Sequence, residues 1–200
     1  MAGPALRPLV IVGAGGHGRE VLDVVEAINE RDPPFAVLGM AADGADPDLL
    51  ARRGVALLGP PDVLADLDAA WAVGVGDPEV RARLAALLHG FGRPVAEALV
   101  HPRATLGSDL RLSPGVVIAA GAQVTTNVTL GAHTQLNVGA VVSHDCIVGS
   151  CVTLSPGAMV NGSNTLGDRV MLGTGAIVTP GRTIGAGAVV GAGAGGVSDV

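Results

Sequence analysis

Two adjacent residues in the second half of this sequence, His144 and Asp145, are the pair best equipped for acid–base chemistry. From residue 100 to residue 200 there are only four acids, Asp109, Asp145, Asp168 and Asp199, and three histidines, His101, His133 and His144. A carboxylate directly after an imidazole stands out in a stretch so poor in titratable groups. An imidazole accepts a proton near neutral pH, and a carboxylate beside it fixes the ring's tautomer and favours the imidazolium that forms. Such a pair can take a proton from an amine or hydroxyl while that group attacks an acyl carbon. Neighbouring side chains on an extended strand point to opposite faces, so the two touch only if the chain bends there. The other two histidines read differently: His101, before Pro102, marks a domain junction, and His133 is expected on the surface.

A second chemical motif lies near the N-terminus. Leu9 to Val12 is an apolar run suited to a buried strand, and Gly13-Ala14-Gly15-Gly16-His17-Gly18 follows it. A Gly-rich loop between a strand and a helix lets backbone N–H groups approach a phosphate. The acid that a dinucleotide ribose needs about 20 residues on is missing; the nearest in the following loop is Asp43, 30 residues after Gly13. NAD is thereby disfavoured, and a nucleotide diphosphate-sugar fits better. His17 shapes the loop or touches the substrate.

These motifs need elements to hold them. The helical pattern runs from about residue 19 to 29 and is broken by Pro33-Pro34; further strands are expected at 35–39, 55–58 and 72–75. Asp77-Pro78 then opens a helix that Gly90 closes, with Asp as cap and Pro in the first turn. Strands alternating with helices predict a small parallel α/β domain over residues 1–95.

The rest of the chain, 96–200, obeys a different rule. Stepping by six from Val100 to Val190 gives sixteen positions, and every one is Ile, Leu or Val. The next position in each hexad holds no Ile, Leu or Val, and two residues before the aliphatic sits a mostly small side chain such as Ala122, Cys146, Ala158 or Ala176. Six residues make one short strand and one bend, with the aliphatic inward. The small residue after it is expected to permit the sharp turn. Gly131, Gly149, Gly167 and Gly185 recur every 18 residues, so three hexads close one triangular coil. The architecture is a solenoid of a little over five coils, about 25 Å tall at ~4.8 Å per coil. The step of 18 sets Gly162 one coil above His144, where a missing side chain would leave room for substrate and its N–H could meet an oxyanion.

Composition agrees with a solenoid and excludes several partners. One Trp, two Phe and no Tyr are too few rings for a conventional core, but stacked aliphatics need none. All twelve basic residues are Arg, and the net charge of −6 falls entirely on residues 1–99. Neither half has a basic patch, so nucleic acid and anionic membrane are poor partners. No apolar run is long enough to span a bilayer, and no signal pattern opens the chain, so a cytoplasmic location is expected. Cys146 and Cys151 do not make a disulfide framework.

Gly13 to Gly18 with Arg19-Glu20-Val21, Gly76-Asp77, His101-Pro102, Asn137 and Ser143-His144-Asp145-Cys146-Ile147-Val148-Gly149 together resemble the NeuD/PglD-like family of sugar O- and N-acetyltransferases. The resemblance spans nearly the whole chain. It implies a Rossmann-like N-terminal domain holding a nucleotide-linked sugar or a sialic-acid-like substrate, a left-handed parallel β-helix binding acetyl-CoA, and a homotrimer. It implies His144 and Asp145 as catalytic residues. Gly13, Gly15, Gly16, His17, Gly18, Asp43, Gly76, Asp77 and Asn137 would contact substrate, and Thr153, Gly162, Gly173 and Ala176 the co-substrate. The sequence departs from the family where an Asp pair is replaced by Ala42-Asp43 and a second His by Thr153, and it reaches Val200 where family chains continue with a Gly-Val-Pro-Ala-like segment.

Two other readings compete. A trimeric scaffold that binds a nucleotide-sugar without catalysis is favoured slightly by Thr153. A zinc enzyme of the carbonic anhydrase kind needs three His on neighbouring coils; His133 and His144 are eleven apart with no third beside them, so no metal is expected. A serine acetyltransferase is disfavoured by the α/β pattern of the N-terminal half.

Overall fold

The computed structural model describes residues 6–31, 34–196 and 198–199. Pro33, expected to help break the first helix, and Val200 lie outside them. Strands β1 (Arg7–Val12), β2 (Phe35–Ala41), β3 (Leu57–Gly59) and β4 (Ala70–Val73) form one parallel sheet in the order β3-β2-β1-β4. Helices α1 (Gly16–Asn29) and α3 (Pro78–His89) pack on opposite faces. The period of two decides which residues meet which helix: Leu9 and Ile11 pack with Val21, Leu22 and Val25 of α1, whereas Val10 and Val12 pack with Ala85 and Leu88 of α3.

Boundaries differ from the sequence reading in instructive ways. Helix α1 starts three residues before the expected Arg19, because glycines, weak helix formers, read as loop. The fourth strand ends at Val73 rather than Val75. Beyond it Gly74 presses on the Gly-rich loop, where a Cβ would lie 2.6 Å from the Gly18 Cα. Helix α2 (Pro47–Arg52) and a short 3₁₀ helix (Pro61–Ala65) were not expected; Asp46 caps α2 by accepting from the N–H groups of Asp48 and Leu49.

The remaining strands are two or three residues long and form three parallel sheets of six, six and five strands. The first face begins with Leu99–Val100, the second with Thr105–Leu106 and the third with Leu110–Leu112. Each strand pairs with the one 18 residues later, as Gln135 with Thr153 and Val141 with Met159. The aliphatic ladder points inward: Ile118, Leu130, Val142, Leu154, Val160 and Leu172 are fully buried, with Ala140, Ala158 and Ala176 filling the corners.

One expectation about the bends is corrected. The residue directly after each aliphatic is small because the next coil is too close. A Cβ on Gly107, Gly131, Gly167 or Gly173 would come within 2.5 Å of backbone above it. The left-handed bend comes two residues further on. At the corner joining the second and third faces it falls on Asp109, Asn127, Asp145 and Ser163, with φ between 53° and 60°. Left-handed backbone costs a non-glycine residue ~1–2 kcal/mol, least for Asp and Asn, whose short polar chains bond locally.

Candidate active site

The corner after Val141–Val142 carries His144 and Asp145 in a turn, and the bend brings their side chains together. His144 Nδ1 lies 2.8 Å from Asp145 Oδ2. The other carboxylate oxygen, Oδ1, accepts from Asn127 Nδ2 at 2.7 Å, one coil below. Hydrogen bonds from Asn127 and then His144 hold the Asp145 carboxyl below the usual carboxylate range. An ionised Asp145 accepts at Nδ1–H, which leaves the lone pair of a neutral His144 on Nε2. Asn127 escaped the sequence reading, although the step of 18 from Asp145 pointed to it.

Gly162 stands one coil above, as expected, but what it makes room for is the imidazole itself. A Cβ there would lie 2.4 Å from His144 Cε1 and 2.5 Å from Nε2. The corner is flanked by apolar side chains left in the open: Ile147 on the third face, and Met159 and Ile177, paired in register, on the second. They are 57%, 42% and 42% exposed, unusually bare for residues of this size in ordered strands.

The Gly-rich loop sits on the other side of the solenoid. Gly13 (φ +110°) and Gly18 are required by the fold, since a Cβ on Gly18 would fall 1.9 Å from the Gly13 carbonyl oxygen. Gly15 and Gly16 are not: a Cβ on either meets nothing within 4 Å, and Gly15 has φ −72°. Gly13 and Asp43 line one cleft of about 280 Å³ with Ala42 and Leu84. His17 and Asn137 line another of about 210 Å³, between α1 and the first face, with Glu20 and Arg103. A Cβ on Gly76 would lie 3.9 Å from the His17 ring, and Asp77 caps α3 by accepting from the Val80 N–H.

Several assignments change. Thr153, expected at the co-substrate, is buried at the domain junction; its hydroxyl accepts from Arg81 Nη2 and donates to the Gly76 carbonyl, both at 2.7 Å. Ala176 is a fully buried core residue, with no side-chain surface for a ligand. Gly173 is small because Ala192 of the next coil is above it. His133, expected on the surface, is 4% exposed, stacked 5.3 Å from Trp71 with its Nε2 at 3.3 Å from His89 Nε2. Among the described residues no three His, Cys, Asp or Glu side chains gather as metal ligands.

The sequence reading also missed Arg81. It is fully buried, yet among the described residues no carboxylate pairs with it. Its guanidinium donates to the carbonyls of His133, Val75, Gly76, Cys151 and Val152 and to the side chains of Gln135 and Thr153. Burial draws its pKa down to about 10, which leaves it charged at neutral pH. One of two Arg in a helix, beside Arg83, gives no sign that the opposite domain will cover it.

Comparison with known proteins places this arrangement. A family model for the PglD N-terminal domain matches residues 8–88. No curated protein sequence matches the chain. Among solved structures, a His-to-Asn variant of perosamine N-acetyltransferase from Caulobacter crescentus, in complex with CoA and GDP-perosamine, is 32% identical with a TM-score of 0.88, covering 98% of this chain and 91% of that one. The acetyltransferase domain of PglB from Neisseria gonorrhoeae is 29% identical with a TM-score of 0.89, over 97% and 93%. The same domain in complex with acetyl coenzyme A is 27% identical with a TM-score of 0.83, over 97% and 96%. The shared architecture is a small α/β domain followed by a left-handed parallel β-helix.

Proposed function

This chain belongs to the NeuD/PglD-like family of acetyl-CoA-dependent sugar acetyltransferases, and on that premise we propose that it acetylates an amine of a nucleotide-linked sugar with His144 as general base. The observation that carries the reading is the Asn127–Asp145–His144 relay, which leaves Nε2 free on an exposed corner. His144 Nε2 takes the proton from the acceptor nitrogen as that nitrogen attacks the thioester carbonyl of acetyl-CoA. Asp145 holds the tautomer and stabilises the imidazolium. The C–N bond forms, the C–S bond breaks, and the CoA thiolate leaves with a proton. The Gly162 N–H, which has no hydrogen-bond acceptor among the described residues, is the proposed donor to the oxyanion. That the Caulobacter relative holds CoA and GDP-perosamine together supports an amino acceptor carried on a nucleotide.

The acceptor would occupy the clefts beside the Gly-rich loop, with Gly13, Gly15, Gly16, His17, Gly18, Asp43, Gly76 and Asn137 near it. Gly15 and Gly16 support this, because nothing in the fold asks for glycine there. The His17 cleft lies on the first face, the Gly13 cleft lies within the N-terminal domain, and His144 is on the opposite edge, so one chain alone does not bring base and acceptor together. The proposed enzyme is therefore a homotrimer in which the exposed Ile147, Met159 and Ile177 meet a second copy. A cytoplasmic role in glycan biosynthesis fits these substrates, and no described helix is long and apolar enough to cross a membrane.

The test is thiol release from acetyl-CoA against a panel of nucleotide-linked amino-sugars and free sialic acids. Turnover with a nucleotide amino-sugar is expected. Turnover confined to free sialic acids would make this an O-acetyltransferase, and none with any member would favour the scaffold reading.

A further inference from the structure

The cleft that holds His17 and Asn137 contains a hydrogen-bond arrangement that fixes more than position. Gln135, 1% exposed on the first face, donates from Nε2 to the Val73 carbonyl at 2.6 Å and accepts at Oε1 from Arg81 Nη1 at 3.1 Å. A guanidinium has no lone pair to offer and a carbonyl oxygen has no proton. The amide therefore has one allowed orientation, since a flip would set two donors against each other and two acceptors against each other. His17 Nε2 lies 2.6 Å from the same Oε1, so it must carry a proton to bond there. On the other side of the ring, Nδ1 lies 2.9 Å from Glu20 Oε2, which as a carboxylate also accepts. Both contacts are hydrogen bonds only when the ring has two protons.

We propose that Gln135, oriented by Arg81, is a positioning residue that keeps a proton on His17 Nε2, so that with Glu20 or an anionic group of the substrate at Nδ1 the ring carries both protons and the acceptor cleft presents a cation. The proposal rests on the reading of this cleft as the acceptor site and names the substrate's charge: a diphosphate is the group that fits a nucleotide-linked sugar. The two partners of the ring are unequal. Gln135 is immobile, whereas the Glu20 side chain is 62% exposed and can swing into solvent. An incoming phosphate oxygen can replace the Glu20 carboxylate at Nδ1–H, exchanging one charge-assisted bond for another. Glu20 and Asp23 from α1 and His101 and Arg103 from the first coil line the cleft with the ring, and Arg81 from α3 stands behind Gln135. Arg103 adds positive charge at the far end of the cleft. Glu20 and Asp23 oppose an anion until Glu20 moves.

The experiment reads His17 directly and through binding. Nitrogen NMR of the imidazole distinguishes the two singly protonated tautomers from the doubly protonated ring, and calorimetry with UDP and with GDP gives affinity between about pH 5.5 and 8.5, the range in which an imidazole titrates. In the parent protein the bound nucleotide should weaken about tenfold as the ring loses its second proton, the usual size of a charge-assisted bond. Gln135→Leu removes the acceptor at Nε2 and should move that loss to lower pH. Gln135→Glu supplies a stronger acceptor and should move it to higher pH. Arg81 keeps its carbonyl partners in both variants; both lose the donor to the Val73 carbonyl, so they are expected to melt lower but to fold. Opposite shifts are a signature that a merely structural Gln135 would not give. A singly protonated ring throughout the range, or identical pH profiles in all three proteins, overturns the proposal. If the NMR follows Gln135 but neither nucleotide binds, the relay stands and the cleft is not the nucleotide site, which separates this inference from the function it builds on.

Discussion

The His144 corner and the domain junction sit on opposite sides of one solenoid and are built by opposite means. At the corner, every residue that matters is placed by the period: Asn127, Asp145 and Ser163 share one left-handed column, and Gly162 clears the ring of His144. The side chains there are exposed, His144 by 58% and Asp145 by 51%, and their few bonds are local. At the junction nothing repeats. Arg81, Gln135, Thr153 and His133 are each buried and each engaged across the boundary between two unrelated architectures. Buried polar packing is concentrated at the junction and the proposed chemistry at the corner. Substitutions on the two sides should therefore fail in different ways.

His144→Ala should produce the largest effect. Removing a positioned general base typically costs about 10²–10⁴ in rate. Affinity for both substrates, thermal stability and oligomeric state should barely move, because the proposed base acts on a proton in the transition state and the ladder carries the core. Stopped-flow thiol release with the authentic acceptor checks this. A variant that turns over at the parent rate would break the comparison at its chemical end.

The junction should announce itself in acid. Burial, then His89, then Arg81 push the His133 pKa from 6.5 down to about 4. Between those values the unfolded chain binds a proton that the folded one refuses. The stability tied to His133 is thus complete above about pH 6.5 and is lost as pH falls toward 4. The window corresponds to roughly 3 kcal/mol at ~1.4 kcal/mol per pH unit. Urea melts at stepped pH should show this slope. His133→Asn, which tolerates the left-handed backbone at φ +58°, should flatten it while leaving the thiol-release rate unchanged.

Within the N-terminal domain the same contrast can be drawn between two glycines three residues apart. Gly15→Val enters open space at an ordinary backbone angle, so folding should hold while nucleotide affinity falls, by about tenfold if one phosphate contact is lost. Acetyl-CoA affinity should not change. Gly18→Ala would drive a Cβ into the Gly13 carbonyl and should impair folding first. Calorimetry on the first variant and melting of the second separate a ligand-facing glycine from a structural one. Equal loss of both ligands in Gly15→Val would return that residue to the structural side.

How much of this was legible in the sequence follows the same division. The period of six located the ladder, the three faces and the bend that lets His144 touch Asp145, because in a solenoid local spacing is tertiary structure. One phase of it was misread: small residues after the aliphatics were credited with the turn, when crowding by the next coil explains them and the bend lies two residues on. Ala176 was given to a ligand because the resemblance carried positions without directions, and the register turns its side chain into the core. Thr153, His133, Gln135 and Arg81 were illegible for a different reason. Each lies on a surface that its own domain would leave in solvent, and only docking of the second domain buries it.

The smallest effect belongs to the one residue of the corner that spacing could have revealed and did not. Asn127 donates to Asp145 from the coil below and is the first cause of that carboxyl's low pKa. Asn127→Ala would confound two losses, since alanine is strained at φ +54°. Asn127→Gly removes the amide and accepts the backbone. Asp145 would then keep only His144 as a side-chain partner and would still be ionised at neutral pH, so its grip on Nδ1–H would slacken but persist. The rate should drop only a few-fold, about what one solvent-exposed hydrogen bond supplies, well short of the loss in His144→Ala. If Asn127→Gly falls as far as His144→Ala with stability unchanged, the amide orients the whole relay and the corner is a triad. If nothing changes, the bond to Asp145 is made in the resting protein and plays no part in turnover.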